Sequence, residues 1–265
     1  MIAMKPMKLL TLAGLVLLVV SCNKGSESCG NQDIDERVNT HPKTEAFTGV
    51  ELQTCANVFL SDAEACDVRL EGDSKAIDNL NIYVKDGILH IDKKKNGCFS
   101  WHHDVDVYVS APLFKYLGIS GSGDMEALTD FQGTELTMNI SGSGNIVQKN
   151  LLNDATYVII KGSGDIGTQT LTTSKLETTI KGSGNISVDS GTSPYHTSLI
   201  SGSGNILAMG MDTDVTDATL SGSGNFEVTA SSELHVVLSG SGNVTYSGNP
   251  VLTSSVTGSG DVSHQ

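Results

Sequence analysis

The chain has 265 residues, 38% hydrophobic, 5% aromatic and 17% charged, with 29 glycines and a formal net charge of −14. Sixteen Lys and Arg against 30 Asp and Glu exclude a cationic surface of the kind that nucleic acid requires. The charged fraction lies below the usual quarter, which excludes a charge-driven disordered chain; abundant glycine with few aromatics favours repeated turns over a thick globular core.

Lys5 and Lys8 are the only charges in the first 21 residues, and they precede a twelve-residue apolar run over 9–20. That run is short for a membrane span and suits the apolar region of a secretory signal. It ends in Val19-Val20-Ser21-Cys22, which resembles a bacterial lipobox. The resemblance implies cleavage before Cys22 and lipid attachment to it, with residues 1–21 as the lipoprotein signal peptide. Loss of two lysines and no acid then leaves −16, so the acyl chains are the expected membrane contact.

Residues 22–45 are polar and without apolar periodicity, and read as a flexible tether. Beyond the signal stand four cysteines, Cys29, Cys55, Cys66 and Cys98. An even number in an exported chain suggests two disulfides with three connectivities. The ten residues between Cys55 and Cys66 favour that pair, which leaves Cys29 with Cys98. The spacings fit no structural zinc site.

From Phe47 the sequence alternates apolar and polar residues in short runs, among them Val58/Leu60, Val68/Leu70 and Val105/Val107/Val109. Period two denotes strands with one buried face. Asp86-Gly87 is a two-residue hairpin signal, because both residues tolerate positive φ. Cys98-Phe99-Ser100-Trp101-His102-His103-Asp104 holds the single tryptophan. His102 and His103 would diverge on an extended chain, which disfavours a metal site; Trp101 is the expected contact residue there. The lysines Lys93, Lys94 and Lys95 read as a solvated turn.

Gly-Ser-Gly-Asn/Asp recurs eight times, beginning at Gly121, Gly142, Gly162, Gly182, Gly202, Gly222, Gly240 and Gly258. Two places before each motif stands an aliphatic residue (Ile119, Ile140, Ile160, Ile180, Ile200, Leu220, Leu238, Val256). Directly after each stands another apolar one (Met125, Ile146, Ile166, Ile186, Ile206, Phe226, Val244, Val262). A period near 20 with short strands predicts an all-β solenoid, a single-stranded parallel β-helix with one coil per repeat. The reading divides 46–265 into irregular strands and a hairpin over 46–117 and eight regular coils over 118–265. The glycines are expected to supply positive φ and close approach between coils. Asp124, Asn145, Asp165, Asn185, Asn205, Asn225, Asn243 and Asp261 form a column expected to act as a structural Asn/Asp ladder.

These Ile-Ser-Gly-Ser-Gly-Asn/Asp-Ile repeats, with the segments 81–91 and 105–112 before them, resemble the bacterial head-GIN-domain proteins, named as putative auto-transporter adhesins. The resemblance runs from about Phe47 onward and implies a β-helical exported protein with a binding role; it brings no catalytic residues.

Eight copies of one motif argue for structure rather than an active site. The motif also lacks the strand-to-helix turn of a nucleophile elbow and the lysine of a phosphate loop. Glycine-rich calcium repeats use a nine-residue period, and the acidic stretch 211–217 reads as a solvated loop. No catalytic residue, cofactor or metal is expected. From Gly118 onward there are 14 acids, four lysines and no arginine, which supplies a polysaccharide lyase poorly. The expected function is a lipid-anchored protein of the bacterial cell envelope, at the outer membrane, acting as a non-catalytic binding or adhesion module toward a glycan or envelope protein. A polysaccharide-processing enzyme and a mechanical scaffold are the alternatives. After the eighth motif come only residues 262–265, so that rung is expected to be capped from elsewhere or to self-associate.

Overall fold

The computed structural model describes residues 37–94 and 105–265. The signal peptide, Cys22, Cys29, Cys98 and Trp101 lie outside the described residues.

The regular part is a parallel β-solenoid. Strands β8 (Tyr116–Ile119) and β9 (Met125–Ala127) flank the first turn, and β10 (Phe131–Ile140) completes that coil. Then follow β11 (Ile146–Ile160), β12 (Ile166–Ile180), β13 (Ile186–Ile200), β14 (Ile206–Leu220) and β15 (Phe226–Leu238), each pairing in parallel with the next. β16 (Val244–Ser247), β17 (Val251–Val256) and β18 (Val262–His264) end the rod. Eight turns thus bound seven coils. Register runs Ile146↔Ile166↔Ile186↔Ile206↔Phe226, so one repeat advances the chain by one strand spacing, roughly 4.8 Å.

The two aliphatic columns that flank the motif face the interior. They are buried along the rod, and only Val256 and Val262, at its last coil, reach solvent. Burial of such a side chain is worth about 1.5–3 kcal/mol, and stacking makes each coil the lid of the one before it.

The glycines act through contact, and positive φ is not the reason for them. Among the described glycines only Gly72, Gly87, Gly191 and Gly248 have positive φ, and none belongs to a Gly-Ser-Gly motif. In the motif a Cβ on Gly182 would sit 1.8 Å from the carbonyl oxygen of Gly162, and one on Gly184 would sit 1.8 Å from that of Gly164. The Gly162 carbonyl points along the rod and accepts from the next turn, Ser183 N donating to it at 3.0 Å. Any side chain at the glycines would block that stacking.

Order along the rod departs from order in sequence at its start. β2 (Gly49–Leu52) pairs with β8, and β3 (Asn57–Asp62) with β9. On their other sides lie β6 (Ile88–Lys93) and β7 (Val105–Ala111), again parallel. The rung β2–β3 is therefore inserted between β6–β7 and β8–β9. Residues 53–56 turn where the motif would be: Ser122 N donates to Thr54 O at 3.1 Å.

Antiparallel strands close this end. β4 (Asp67–Asp73) covers β7, β5 (Leu80–Lys85) covers β6, and β1 (Arg37–Thr40) pairs with β4. The segment 37–40, assigned above to the tether, is thus the outermost strand. Asp86 and Gly87 take φ of 52° and 75° and join β5 to β6, as expected of a primed turn. One five-residue helix, α1 (Ser74–Asp78), interrupts the strands, and Asp73 caps it by accepting from Lys75 N and Ala76 N. At the far end β17 and β18 have no strand on their outer edges among the described residues, and Val251 and Val256 are exposed.

The Cys55–Cys66 pairing is not formed: both are free thiols. Cys55 lies in the exposed turn before β3, whereas Cys66 lies beyond its far end, exchanging hydrogen bonds with Phe47 N and O. Six extended residues separate them by about 17–20 Å, against the roughly 4.4–6.8 Å between Cα atoms that a disulfide needs.

Candidate binding groove

The turn column is a continuous hydrogen-bonded ladder. Asn205 Nδ2 donates to Asn185 Oδ1 at 2.8 Å, and Asn205 N donates to the same oxygen at 3.0 Å. Asn225 repeats both contacts on Asn205. At acidic positions the side-chain acceptor persists and the donor is lost: Asn185 N and Nδ2 both bond Asp165 Oδ1, while Asp165 reaches Asn145 only through its backbone N–H. A side-chain oxygen to accept the next backbone N–H is what each position requires, which explains why Asn and Asp alternate freely. The ladder bonds these side chains to one another along the rod, so they serve the stacking of the coils.

The opposite side of the rod is different. There the coil turns two further corners, with inward positions represented by Leu151 and Asn153 on one side and by Thr156, Val158 and Ile160 on the next. The interior here is unexpectedly polar: Thr156, Thr173, Ser193, His196, Thr213 and Thr216 are all buried. Hydroxyls pair across it, Thr213 with Thr216 at 2.7 Å and Thr178 with His196 Nε2 at 3.0 Å. Burial drives the His196 pKa down from 6.5 to about 4.

On the outside of this corner two concavities adjoin, of about 580 and about 370 Å³. Both include Gln132, Leu152 and Thr172, outward residues at one register position of β10, β11 and β12. The larger continues to Thr192 and Pro194 on β13, and the smaller runs to Asp62 and Asp130. Together they form a groove across four strands, about 14 Å along the rod. Asp62, Asp130 and Asp154 contribute carboxylates; the other polar groups are amides and hydroxyls, and among the described residues neither concavity is lined by Lys, Arg or His. Asn150 Nδ2 holds Asp130 at 2.9 Å. Leu152 is 55% exposed at the centre. Asn153, only 6% exposed, turns its side chain inward in register with buried Thr173, and its Nδ2 has no acceptor among the described residues.

A second polar cluster lies near the first turn. Tyr116 OH donates to Glu51 Oε2 at 2.8 Å and Ser120 Oγ to Glu51 Oε1 at 2.9 Å. Burial first, then the Glu51 hydrogen bond, pushes the Tyr116 pKa up to about 12. Gly118 makes room for it, since a Cβ there would overlap both side chains. A phenol so raised neither gives up nor takes a proton near neutrality, and the cluster reads as a clasp between adjacent rungs. Among the described residues no group of three or more His, Cys, Asp or Glu is placed to hold a metal ion, and no helix is long and apolar enough to cross a membrane.

The groove was not legible beforehand: Leu152 and Thr172 carry no motif, and only coil stacking brings them into line.

A family model described as "Putative auto-transporter adhesin, head GIN domain" matches residues 46–250. No curated protein matches the chain. Among solved structures, a putative adhesin from Parabacteroides distasonis is 20% identical with a TM-score of 0.81, covering 87% of this chain and 98% of its own. A putative adhesin from Parabacteroides merdae is 20% identical with a TM-score of 0.78, over 87% and 96%. A putative lipid binding protein from Parabacteroides distasonis is 22% identical with a TM-score of 0.78, over 86% and 96%. At these identities the likeness is one of fold.

Proposed function

The chain belongs to the head GIN domain family, and on that premise we propose that it is a lipid-anchored protein of the cell envelope that binds a surface partner without turning it over. The observation that carries this reading is the groove on β10–β13, a wide concavity of fixed side chains on a rigid rod. Its carboxylates sit among neutral amides and hydroxyls, and the pKa values that burial does perturb, those of His196 and Tyr116, belong to groups outside its lining. Lipid on Cys22 would hold the rod at the membrane, at the end where β1, β4 and β5 close it, and leave the groove free to meet its partner.

The test is antibody and protease accessibility of the chain on intact against lysed cells, with a periplasmic control and Cys22→Ala for comparison. The expected result is labelling of intact cells, with Cys22→Ala released from the membrane fraction. Protection until lysis would remove the adhesion role.

A further inference from the structure

We propose that the groove on β10–β13 binds an uncharged glycan chain laid along the rod axis. The inference rests on the binding role proposed above and gives it a site and a ligand class.

Charge excludes one family of ligands. Asp62, Asp130 and Asp154 line the groove of a protein whose formal charge is −14, and among the described residues its lining holds no cation. An acidic polymer would meet repulsion there and find no partner for its own charge. The ammonium side chains of a basic peptide would satisfy the carboxylates but only donate hydrogen bonds, so its backbone carbonyls would be the sole acceptors it brings. Amides and hydroxyls such as those of Gln132, Asn150, Thr172 and Thr192, which both donate and accept, outnumber the three carboxylates of the groove. A sugar hydroxyl also does both.

Shape and spacing agree. The exposed stripe Gln132, Leu152, Thr172, Thr192 repeats at roughly 4.8 Å, a step comparable to one ring of an extended glycan. Leu152 offers an apolar patch against which the C–H face of a sugar ring can rest, with polar groups on both sides of it.

The experiment titrates the purified full chain calorimetrically with a panel of neutral linear hexasaccharides, a hexa-uronate and hexalysine. Thr172→Arg places a long cation in the centre of the groove. Thr197→Arg places the same charge at an exposed position on another side of the coil and serves as the folded control. Saturable binding of a neutral hexasaccharide is expected, weakened at least tenfold by Thr172→Arg and unchanged by Thr197→Arg. Preference for the uronate or for hexalysine, no neutral binding, or equal binding by Thr172→Arg would each overturn the proposal. Attachment of the chain to cells separates the two claims: if Thr172→Arg attaches as well as the wild type, the groove assignment falls and the binding role stands. If the wild type attaches to no cell, the binding role itself falls.

Discussion

Acid should loosen the rod through His196. Its imidazole is buried between β12 and β14, with Leu176 and Thr216 in register on either side, Thr178 Oγ1 at 3.0 Å from Nε2, and the Phe226 ring edge-on at 5.5 Å. None of these neighbours carries charge, so protonation would place an unpaired cation in the interior. The folded pKa of about 4 lies below the unfolded value of 6.5. The unfolded chain therefore binds more protons throughout that window, and stability present above about pH 6.5 is lost as pH falls toward 4. At about 1.4 kcal/mol per pKa unit the full loss is about 3 kcal/mol, of which about 2 kcal/mol has gone by pH 5. Leu176 and Leu234 occupy this same inward column, so His196→Leu fits the space and cannot titrate. At neutral pH the variant forfeits about 1 kcal/mol for the Thr178 hydroxyl left unpaired. Denaturant unfolding at pH 7.5 and 5 should show the wild type losing about 2 kcal/mol more than the variant over that interval. Parallel pH profiles for the two proteins, or an NMR titration placing His196 near 6.5, would refute the reasoning.

Gly182→Ala should cost more than about 3 kcal/mol or abolish soluble expression, because its Cβ meets the Gly162 carbonyl; Gly167→Ala, where a Cβ meets only Ser187 Oγ at 3.3 Å, should fold normally. Thermal melts of the pair check this, and equal melts would remove the contact explanation of the motif. Asn205→Ala takes away the acceptor of Asn225 N and Nδ2 and should destabilise by about 1–3 kcal/mol, whereas Asp165→Asn supplies the missing donor to Asn145 Oδ1 and should stabilise by about 1 kcal/mol. A destabilised Asp165→Asn in denaturant unfolding would contradict the ladder. Peptide mapping of the unreduced protein should find no Cys55–Cys66 bridge, and a thiol reagent should reach exposed Cys55 before Cys66; recovery of that bridge would contradict the placement of β3 between them.

What the sequence disclosed follows from what had to repeat. The motif column stacks backbone on backbone at every turn, so each coil needs glycine at the same two places, and its aliphatic neighbours must close over the previous pair. Such a requirement has one solution and is written eight times. The rung β2–β3 was illegible because Gln53-Thr54-Cys55-Ala56 turns the same corner without the motif; Gly121 and Gly123 above it supply all the clearance needed. The polar interior was hidden for a related reason. Thr173, Ser193 and Thr213 fall in alternating runs where small hydroxyls read as solvent-facing, yet they are buried and donate to backbone carbonyls, Thr173 and Ser193 to Lys175 O and Tyr195 O of their own coil and Thr213 to Thr229 O of the next.

That asymmetry bears on function. On the turn side the Asn/Asp column and the motif backbone bond to the next coil, and a substitution there is a substitution in the fold. On the groove side the outward residues change along the rod, from Gln132 to Leu152, to Thr172 and Thr192, and to Asp212, although their backbones pair in register from β10 to β14. The strands are held by their inward neighbours and by backbone hydrogen bonds, so these outward positions are free to vary at little cost in stability. A rod of this construction separates the residues that make it stand from those that meet a ligand, and a changed binding surface would leave its fold intact.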